Sequence, residues 1–369
     1  MTAPTHRRII LTGLAISAGL FIFSSSGSSS QPEFSIGLIT DVQYADVEDG
    51  TGFGGRDRRY FRGSLEVLSA AMDYFIIRRP TLVAQLGDLI DGRNVKSGTS
   101  EAAFSRALTV LRRAPCRVLS LVGNHDLYNY DRATLAKRLS TAPDGGREFY
   151  SFTPVAGWRV VVLDALQESI LGVPEGDVRR RRAERWLAEH NPNDLSDGGA
   201  WFHGLKGHAR RSVPFNGALG REQLLWLRRT LRSASSAAER VVVLSHVVLA
   251  PQACDGTTMA WDYDSALSLL RERHTDETQP VVALVLCGHD HHGGYHRDDS
   301  GIHHLTLRSP LNSGAAGRAF ALLEMHAKHL LLRGPRLADV LPRSDRWALA
   351  NRPPTLTLDD GEETMRLAF

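Results

Sequence analysis

Residues 34–43 read FSIGLITDVQ, residues 81–88 TLVAQLGD and residues 117–126 RVLSLVGNHD; later come RVVVLSH at 240–246 and VVALVLCGHDH at 281–291. In each, a short apolar run breaks off at Asp, Asn or His, and in most a glycine stands beside the break. An apolar run of that length bounded by turn residues reads as a buried strand. Between these runs lie amphipathic stretches. Arg62–Arg78 places Leu65, Leu68, Ala71, Met72 and Phe75 on one helical face, and Glu101–Arg113, Gly220–Ala234 and Asp262–Arg273 also read as helices. Strands alternating with helices predict an α/β domain, and candidate meanders at 149–164 and 302–332 add antiparallel strands.

The five strand ends matter for chemistry. In α/β sheets, sites are built in the loops outside the carboxyl ends of the strands. Convergence there would gather Asp41, Gln43, Asp88, Asn124, His125, Asp126, His246, His289 and His291. Oxygen and imidazole donors without thiolate suit divalent ions of intermediate hardness. Two such ions sharing a carboxylate sit ~3.5–4 Å apart and clamp the attacking and leaving oxygens of an in-line displacement. Gly87, Gly123 and Gly288 permit tight turns and close backbone approach beside the ligands.

These motifs resemble the calcineurin-like metallophosphoesterases, whose pattern is D-x-H, G-D, G-N-H-D, a later strand-end His and G-H-x-H. The resemblance spans roughly residues 34–332. It implies an α/β fold of the metallophosphoesterase type, a β-sandwich flanked by helices in α-β-β-α layers. It also implies Asp41, Gln43, Asp88 and His291 around one metal, and Asp88, Asn124, His246 and His289 around a second. By the same resemblance His125 contacts the phosphate and helps protonate the leaving oxygen. Asp126 is expected to orient His125, as carboxylates behind a functional imidazole commonly do.

Gln43 departs from the superfamily pattern, where His is usual. An amide oxygen is harder than imidazole nitrogen, which tilts the first site toward Mn²⁺, with Mg²⁺, Co²⁺ or Fe²⁺ as alternatives. The neighbouring text resembles the manganese-dependent ADP-ribose/CDP-alcohol diphosphatases. It includes Asp41-Val-Gln-Tyr-Ala-Asp46, Arg58-Arg59-Tyr60-Phe61-Arg62, Gly87-Asp-Leu-Ile-Asp-Gly92, Glu189-His-Asn-Pro-Asn193, Phe215-Asn-Gly217, Ala260-Trp-Asp-Tyr263 and Gly293-Gly-Tyr295. In that family Gln is the usual residue of the first motif. The resemblance implies cleavage of ADP-ribose, CDP-choline or CDP-glycerol to a nucleoside monophosphate and a phosphorylated alcohol or sugar. The alternatives are a phosphomonoesterase or cyclic-nucleotide phosphodiesterase of the same superfamily, and an inactive metal-binding scaffold.

For the substrate, Arg58, Arg59 and Arg62 are candidates to hold the second phosphate and Phe53 to stack on the base; Trp261 and Tyr263 are weighed as wall residues, with core packing the reading preferred for Trp261. Residues 191–219 depart from the family by an insertion carrying Trp201, His203 and His208, histidines not expected to be ligands.

A chain of 369 residues with 42% hydrophobic residues is long enough for a large core. A net charge of +3, spread out, argues against a nucleic-acid surface, where cationic residues cluster on one face. Cys116, Cys254 and Cys287 lack CxxC spacing and read as buried core residues rather than a disulfide framework. Arg7 and Arg8 precede an apolar run from Ile9 to Phe23 and a Ser/Gly stretch to Ser30, the layout of a secretory signal. The paired arginines also permit a twin-arginine signal, and the run is shorter than the ~20 residues of an easy membrane span. Residues 1–32 are therefore expected to export the chain or to anchor it to a membrane; a cytoplasmic protein is the alternative. Residues 33–335 are expected to form one catalytic domain and residues 336–369 a polar tail.

Overall fold

The computed structural model describes residues 31–52, 55, 57–140, 148–196, 199–273, 280–342 and 355–369. Most of the expected N-terminal signal (residues 1–30) and Phe53 lie outside them. The strands are β1 (Phe34–Ile39), β2 (Gly50–Thr51), β3 (Arg58–Arg59), β4 (Leu82–Gln85), β5 (Arg117–Ser120), β6 (Tyr150–Val155), β7 (Trp158–Val162) and β8 (Arg240–Ser245). They continue as β9 (Val282–Cys287), β10 (Gly294–Arg297), β11 (His303–Thr306), β12 (Ala321–His326), β13 (His329–Gly334), β14 (Leu356–Asp359) and β15 (Glu362–Ala368). The helices are α1 (Gly63–Arg78), α2 (Arg93–Ser97), α3 (Ser100–Leu111), α4 (Asn124–Asn129), α5 (Arg132–Leu139), α6 (Val178–His190), α7 (Gly220–Ser236) and α8 (Tyr263–Leu270).

Two sheets carry the site. One runs in the order β14-β15-β13-β12-β1-β4-β5 and the other β10-β11-β9-β8-β7-β6; β2 and β3 form a separate short ribbon. Parallel pairing joins β1, β4 and β5 in the first sheet and β7, β8, β9 and β11 in the second. Helical crossovers join most of those strands, since parallel neighbours need a long return, whereas β9 and β11 are linked through β10. The carboxyl ends of each parallel set therefore open at one edge of their sheet.

Alternation along the strands explains the layers. Ile36 and Leu38 of β1, Ala84 of β4, Val242 and Leu244 of β8 and Leu284 and Leu286 of β9 fill the space between the sheets. Ile39, Val83, Val241, Val243 and Val285 point the other way, into the cluster that packs α1, α3, α7 and α8. Strands buried on both faces read as unbroken apolar runs, as these do. The layering is the expected helix, sheet, sheet, helix. On the outer face of β1, a Cβ at Gly37 would lie 2.8 Å from the Phe75 ring, so the glycine lets α1 settle against the sheet. Helix α1 then stops at Arg79, whose left-handed φ of 50° and bond from its N–H to the Phe75 carbonyl close the last turn before Pro80.

The stretch expected as a polar tail extends the sheet instead. Strand β15 pairs antiparallel with β13 from His329↔Ala368 to Gly334↔Glu363, and β14 pairs with β15. Met365 and Leu367 are buried between the sheets with Leu330 and Leu332. Polar residues alternate with these two, and that alternation is what a half-buried strand looks like.

Candidate metal centre

Each expected ligand lies just past a strand. Asp41 and Gln43 follow β1, Asp88 follows β4, Asn124 opens α4 after β5, His246 follows β8, and His289 and His291 follow β9. The structure brings all seven together, six of them buried. Four have a left-handed backbone: φ is 47° at Asp41, 45° at Gln43, 58° at Asp88 and 67° at His289. Such positions cost a non-glycine residue about 1–3 kcal/mol each and persist only when the surroundings enforce them. Here the loop backbones tie one another down, Asp41 N–H to the Gly87 carbonyl and Gln43 N–H to the Asp88 carbonyl.

Hydrogen bonds fix which nitrogen of each imidazole faces inward. His246 Nδ1 is 2.8 Å from the Leu86 carbonyl, an acceptor, so Nδ1 carries the proton and Nε2 presents a lone pair. His289 Nε2 is 2.8 Å from Asn216 Oδ1. The amide of Asn216 is itself oriented, because its Nδ2 donates to the carbonyls of Arg211 and Thr257. His291 Nδ1 is 2.9 Å from Asn312 Oδ1, and Asn312 Nδ2 donates to the Arg58 carbonyl. Three imidazoles thus have their outward nitrogens engaged by oxygen acceptors, the arrangement that prepares histidine as a metal ligand.

The remaining donors want positive charge. Asp88, His246 and His289 offer ligand atoms all within 4.8 Å of one another. On the other side Asp41 Oδ1 lies 3.6 Å from His291 Nε2, and Gln43 Nε2 donates to Asp88 Oδ2 at 2.8 Å and meets His291 Nε2 at 2.8 Å. Asp88 belongs to both groups. Asp41 Oδ1 and Gln43 Oε1 are buried without a hydrogen-bond partner, and such atoms are costly unless something polar meets them. Burial, then the Asp41 charge, pushes the Asp88 carboxyl well above its usual range, and burial pushes His289 and His291 well down. A buried carboxylate that resists ionisation beside neutral imidazoles is one that a bound dication would bring into its charged form. Space is equally specific: a Cβ at Gly123 would stand 2.0 Å from Asp88 Oδ1, and one at Gly288 2.0 Å from Thr40 Oγ1. The donor set fits two divalent ions.

His125 projects beside this cluster, and here one expectation is corrected. Asp126 does not reach it. The Asp126 carboxylate accepts the backbone N–H groups of Asp88, Leu89 and Gly123, holding the turn that carries Asp88. The neighbour of His125 is Asp91, whose Oδ2 lies 3.0 Å from Nδ1, with the Gly92 N–H also at 3.0 Å. Burial lowers the imidazole pKa, yet Asp91 and Asp88 outweigh it and leave it raised. The Tyr128 ring packs edge-on at 5.2 Å.

The cluster lies in a cleft of about 1330 Å³. One wall holds Trp201, Phe202 and Phe215, with Phe215 5.7 Å from the His289 ring and Arg210 over Phe202. The insertion at 191–219 therefore builds part of the cleft; its backbone is pinned by Asn191 and Asn193, whose amides donate to the carbonyls of Trp201, Ser212 and His203. His208 meets the Tyr263 hydroxyl and is no ligand. Trp261 stacks on Trp186 in a separate core cluster. Of the three expected phosphate-binding arginines, only Arg59 lines the cleft. Arg58 is exposed near Asp49, and Arg62 is exposed and paired with Asp46 and Glu48. Arg93 and Lys96 of α2 line the cleft without having been singled out by sequence.

A buried oxygen-and-imidazole donor set in a cleft, with a partly buried histidine paired to a carboxylate beside it, defines a metal-dependent hydrolase. The chain belongs to the calcineurin-like phosphoesterases, whose family pattern matches residues 34–293. It is 33% identical over 322 residues to the manganese-dependent ADP-ribose/CDP-alcohol diphosphatase of Bos taurus, covering 83% of this chain and 92% of that one. It is 36% identical over 314 residues to the protein of the same name from Oryza sativa, covering 85% and 94%. Its fold is similar to the crystal structure of a dimetal phosphatase from Danio rerio, with a TM-score of 0.77, 34% identity, and 82% and 96% of the two chains covered.

Proposed function

We propose that this chain hydrolyses the pyrophosphate of nucleoside diphosphate derivatives of the ADP-ribose, CDP-choline or CDP-glycerol type. The products are a nucleoside monophosphate and a phosphorylated alcohol or sugar. The observation that carries the reading is the cleft itself: a donor cluster fit for two dications in a cleft lined by both aromatic and cationic side chains. A nucleotide has a flat base for the aromatic rings, and its anhydride phosphates suit the donor cluster with Arg59 beside it. The names of the relatives agree with it.

Asp41, Gln43, Asp88 and His291 would hold one ion, and Asp88, Asn124, His246 and His289 the other. When bound, two divalent ions, Mn²⁺ by preference, neutralise phosphate charge and lower the pKa of a coordinated water. The chain's own residues do the rest. Gln43 turns its amide oxygen inward, which a primary amide does by rotating about its last bond. His125 keeps a proton on Nε2 in either charge state: Nδ1 accepts from Gly92 N–H when the ring is neutral and donates to Asp91 when it is charged. That proton goes to the leaving phosphate oxygen. Arg59 offers its guanidinium to the phosphates from the cleft wall.

A panel of ADP-ribose, CDP-choline, CDP-glycerol and an aryl phosphate, assayed with Mn²⁺ and Mg²⁺ on protein lacking residues 1–32, tests the proposal. Turnover of the three anhydrides ahead of the aryl phosphate is expected. Turnover of the aryl phosphate alone would replace it with the phosphomonoesterase reading. The Arg7-Arg8 flank and the apolar run to Phe23 support export or membrane anchoring of the chain. Fractionation of full-length protein checks this, and an unprocessed cytoplasmic product would contradict it.

A further inference from the structure

Two parts of the cleft differ in what they can bind. The aromatic wall of Trp201, Phe202 and Phe215 stands on the His289 side. A flat base stacks on aromatic rings whatever its identity. Helix α2 lines another part of the cleft through Arg93 and Lys96, and it starts immediately after Asp91 and Gly92, the two residues that hold His125. With the base on the aromatic rings and the pyrophosphate over the donor cluster, the non-nucleoside end of the substrate emerges toward α2.

That end meets positive charge. The Arg93 guanidinium lies 4.7 Å over the Phe61 ring, not on a carboxylate. Lys96 follows one helical turn later, exposed and lining the same cleft. Arg59 adds a third cation nearby, close enough to feel the charge of Arg93. Asp91, Asp88 and Asp57 lie close enough to Arg59 to offset part of its charge, while Asp290 accepts the backbone N–H groups of Asp255 and His292. Neither Arg93 nor Lys96 forms an ion pair among the described residues.

We propose that Arg93 and Lys96 select the alcohol half of the substrate, favouring a polyol or an anionic end over a quaternary ammonium. The inference rests on the diphosphatase reading above. Hydroxyl and anionic oxygens accept from guanidinium and ammonium groups, whereas a trimethylammonium has no acceptor and is repelled by both.

CDP-glycerol and CDP-choline share the base and the pyrophosphate and differ only at this end, so the ratio of their kcat/KM values isolates the effect. The wild-type enzyme should favour CDP-glycerol. In the Arg93→Gln/Lys96→Gln double variant the ratio should fall about tenfold, the scale of two solvent-exposed charges, with each single variant between. Raising salt from ~0.05 to ~0.5 M should shrink the wild-type ratio but leave that of the double variant nearly flat. The salt series needs no mutant to fold. A ratio that ignores both the substitutions and the salt would overturn the proposal while leaving the diphosphatase reading intact. Failure of the wild-type enzyme to cleave either substrate would overturn both.

Discussion

The imidazole of His125 meets Asp91 and the Gly92 amide at one nitrogen, while its chain neighbour Asp126 spends its carboxylate on three backbone N–H groups of the Asp88 and Gly123 loops. The two acids next to this histidine in space and in sequence therefore fail differently when altered. His125→Ala should keep bound Mn²⁺ by elemental analysis yet lose about 10²–10⁴ in kcat, the usual worth of a positioned acid. Asp91→Asn should lower kcat and shift its pH profile with an unchanged melting temperature. Asp126→Asn should instead lose about 2–4 kcal/mol in urea unfolding, because an amide cannot accept from all three donors. Asn216 and Asn312 act one step further out. Replacing either with Ala frees the His289 or His291 ring to rotate, and Mn²⁺ affinity measured by calorimetry should weaken about 10–100-fold. Equal affinity in both variants would show that the rings are held by packing alone.

At the scale of elements, His303 of β11 is buried, its Nδ1 meeting the Tyr295 hydroxyl and its Nε2 the Ala368 carbonyl of β15. It thereby ties β11, the strand next to the edge of its sheet, to the last strand of the other. Burial pushes its pKa down to about 4, against ~6.5 in an unfolded chain. The native state thus binds fewer protons than the unfolded state between those values, so stability rises with pH across the window and is lost as pH falls through it. Between pH ~7 and ~4.5 this residue alone should cost about 2–3 kcal/mol. Urea titrations of wild type and His303→Gln at the two pH values check this, with the variant expected to lose less on acidification. An identical loss in both would place the acid sensitivity elsewhere.

For the whole molecule, the site exists because two sheets present their parallel carboxyl ends at the same edge. The first sheet supplies Asp41, Gln43, Asp88 and Asn124, and the second supplies the three histidines. Anything that loosens the sandwich therefore reaches the metal centre. Deleting residues 355–369 removes β14 and β15, leaves β13 paired on its β12 side alone and exposes the partners of Met365 and Leu367. The loss should be at least about 3–5 kcal/mol from those two side chains alone, with weaker Mn²⁺ retention. A truncated protein that melts with the wild type would mean that the last strands are ornamental.

Sequence alone determined the strand-end ligands. An apolar run followed by Asp, Asn or His is a local pattern, and strand ends are where α/β proteins put chemistry. It also gave the helix faces, because their period is written in consecutive residues. Tertiary structure alone decided the rest. Asp91, not Asp126, faces His125 because the loop after β4 folds back over α4. Asn216 and Asn312 reach histidines 73 and 21 residues away, a distance no local signal spans. Arg59 turns inward while Arg58 turns toward Asp49, since ribbon β2–β3 sets opposite faces for these two neighbours, and Arg62, at the start of α1, turns to Asp46 and Glu48. Partner choice depends on which loops are packed side by side, and packing is a property of the assembled sandwich.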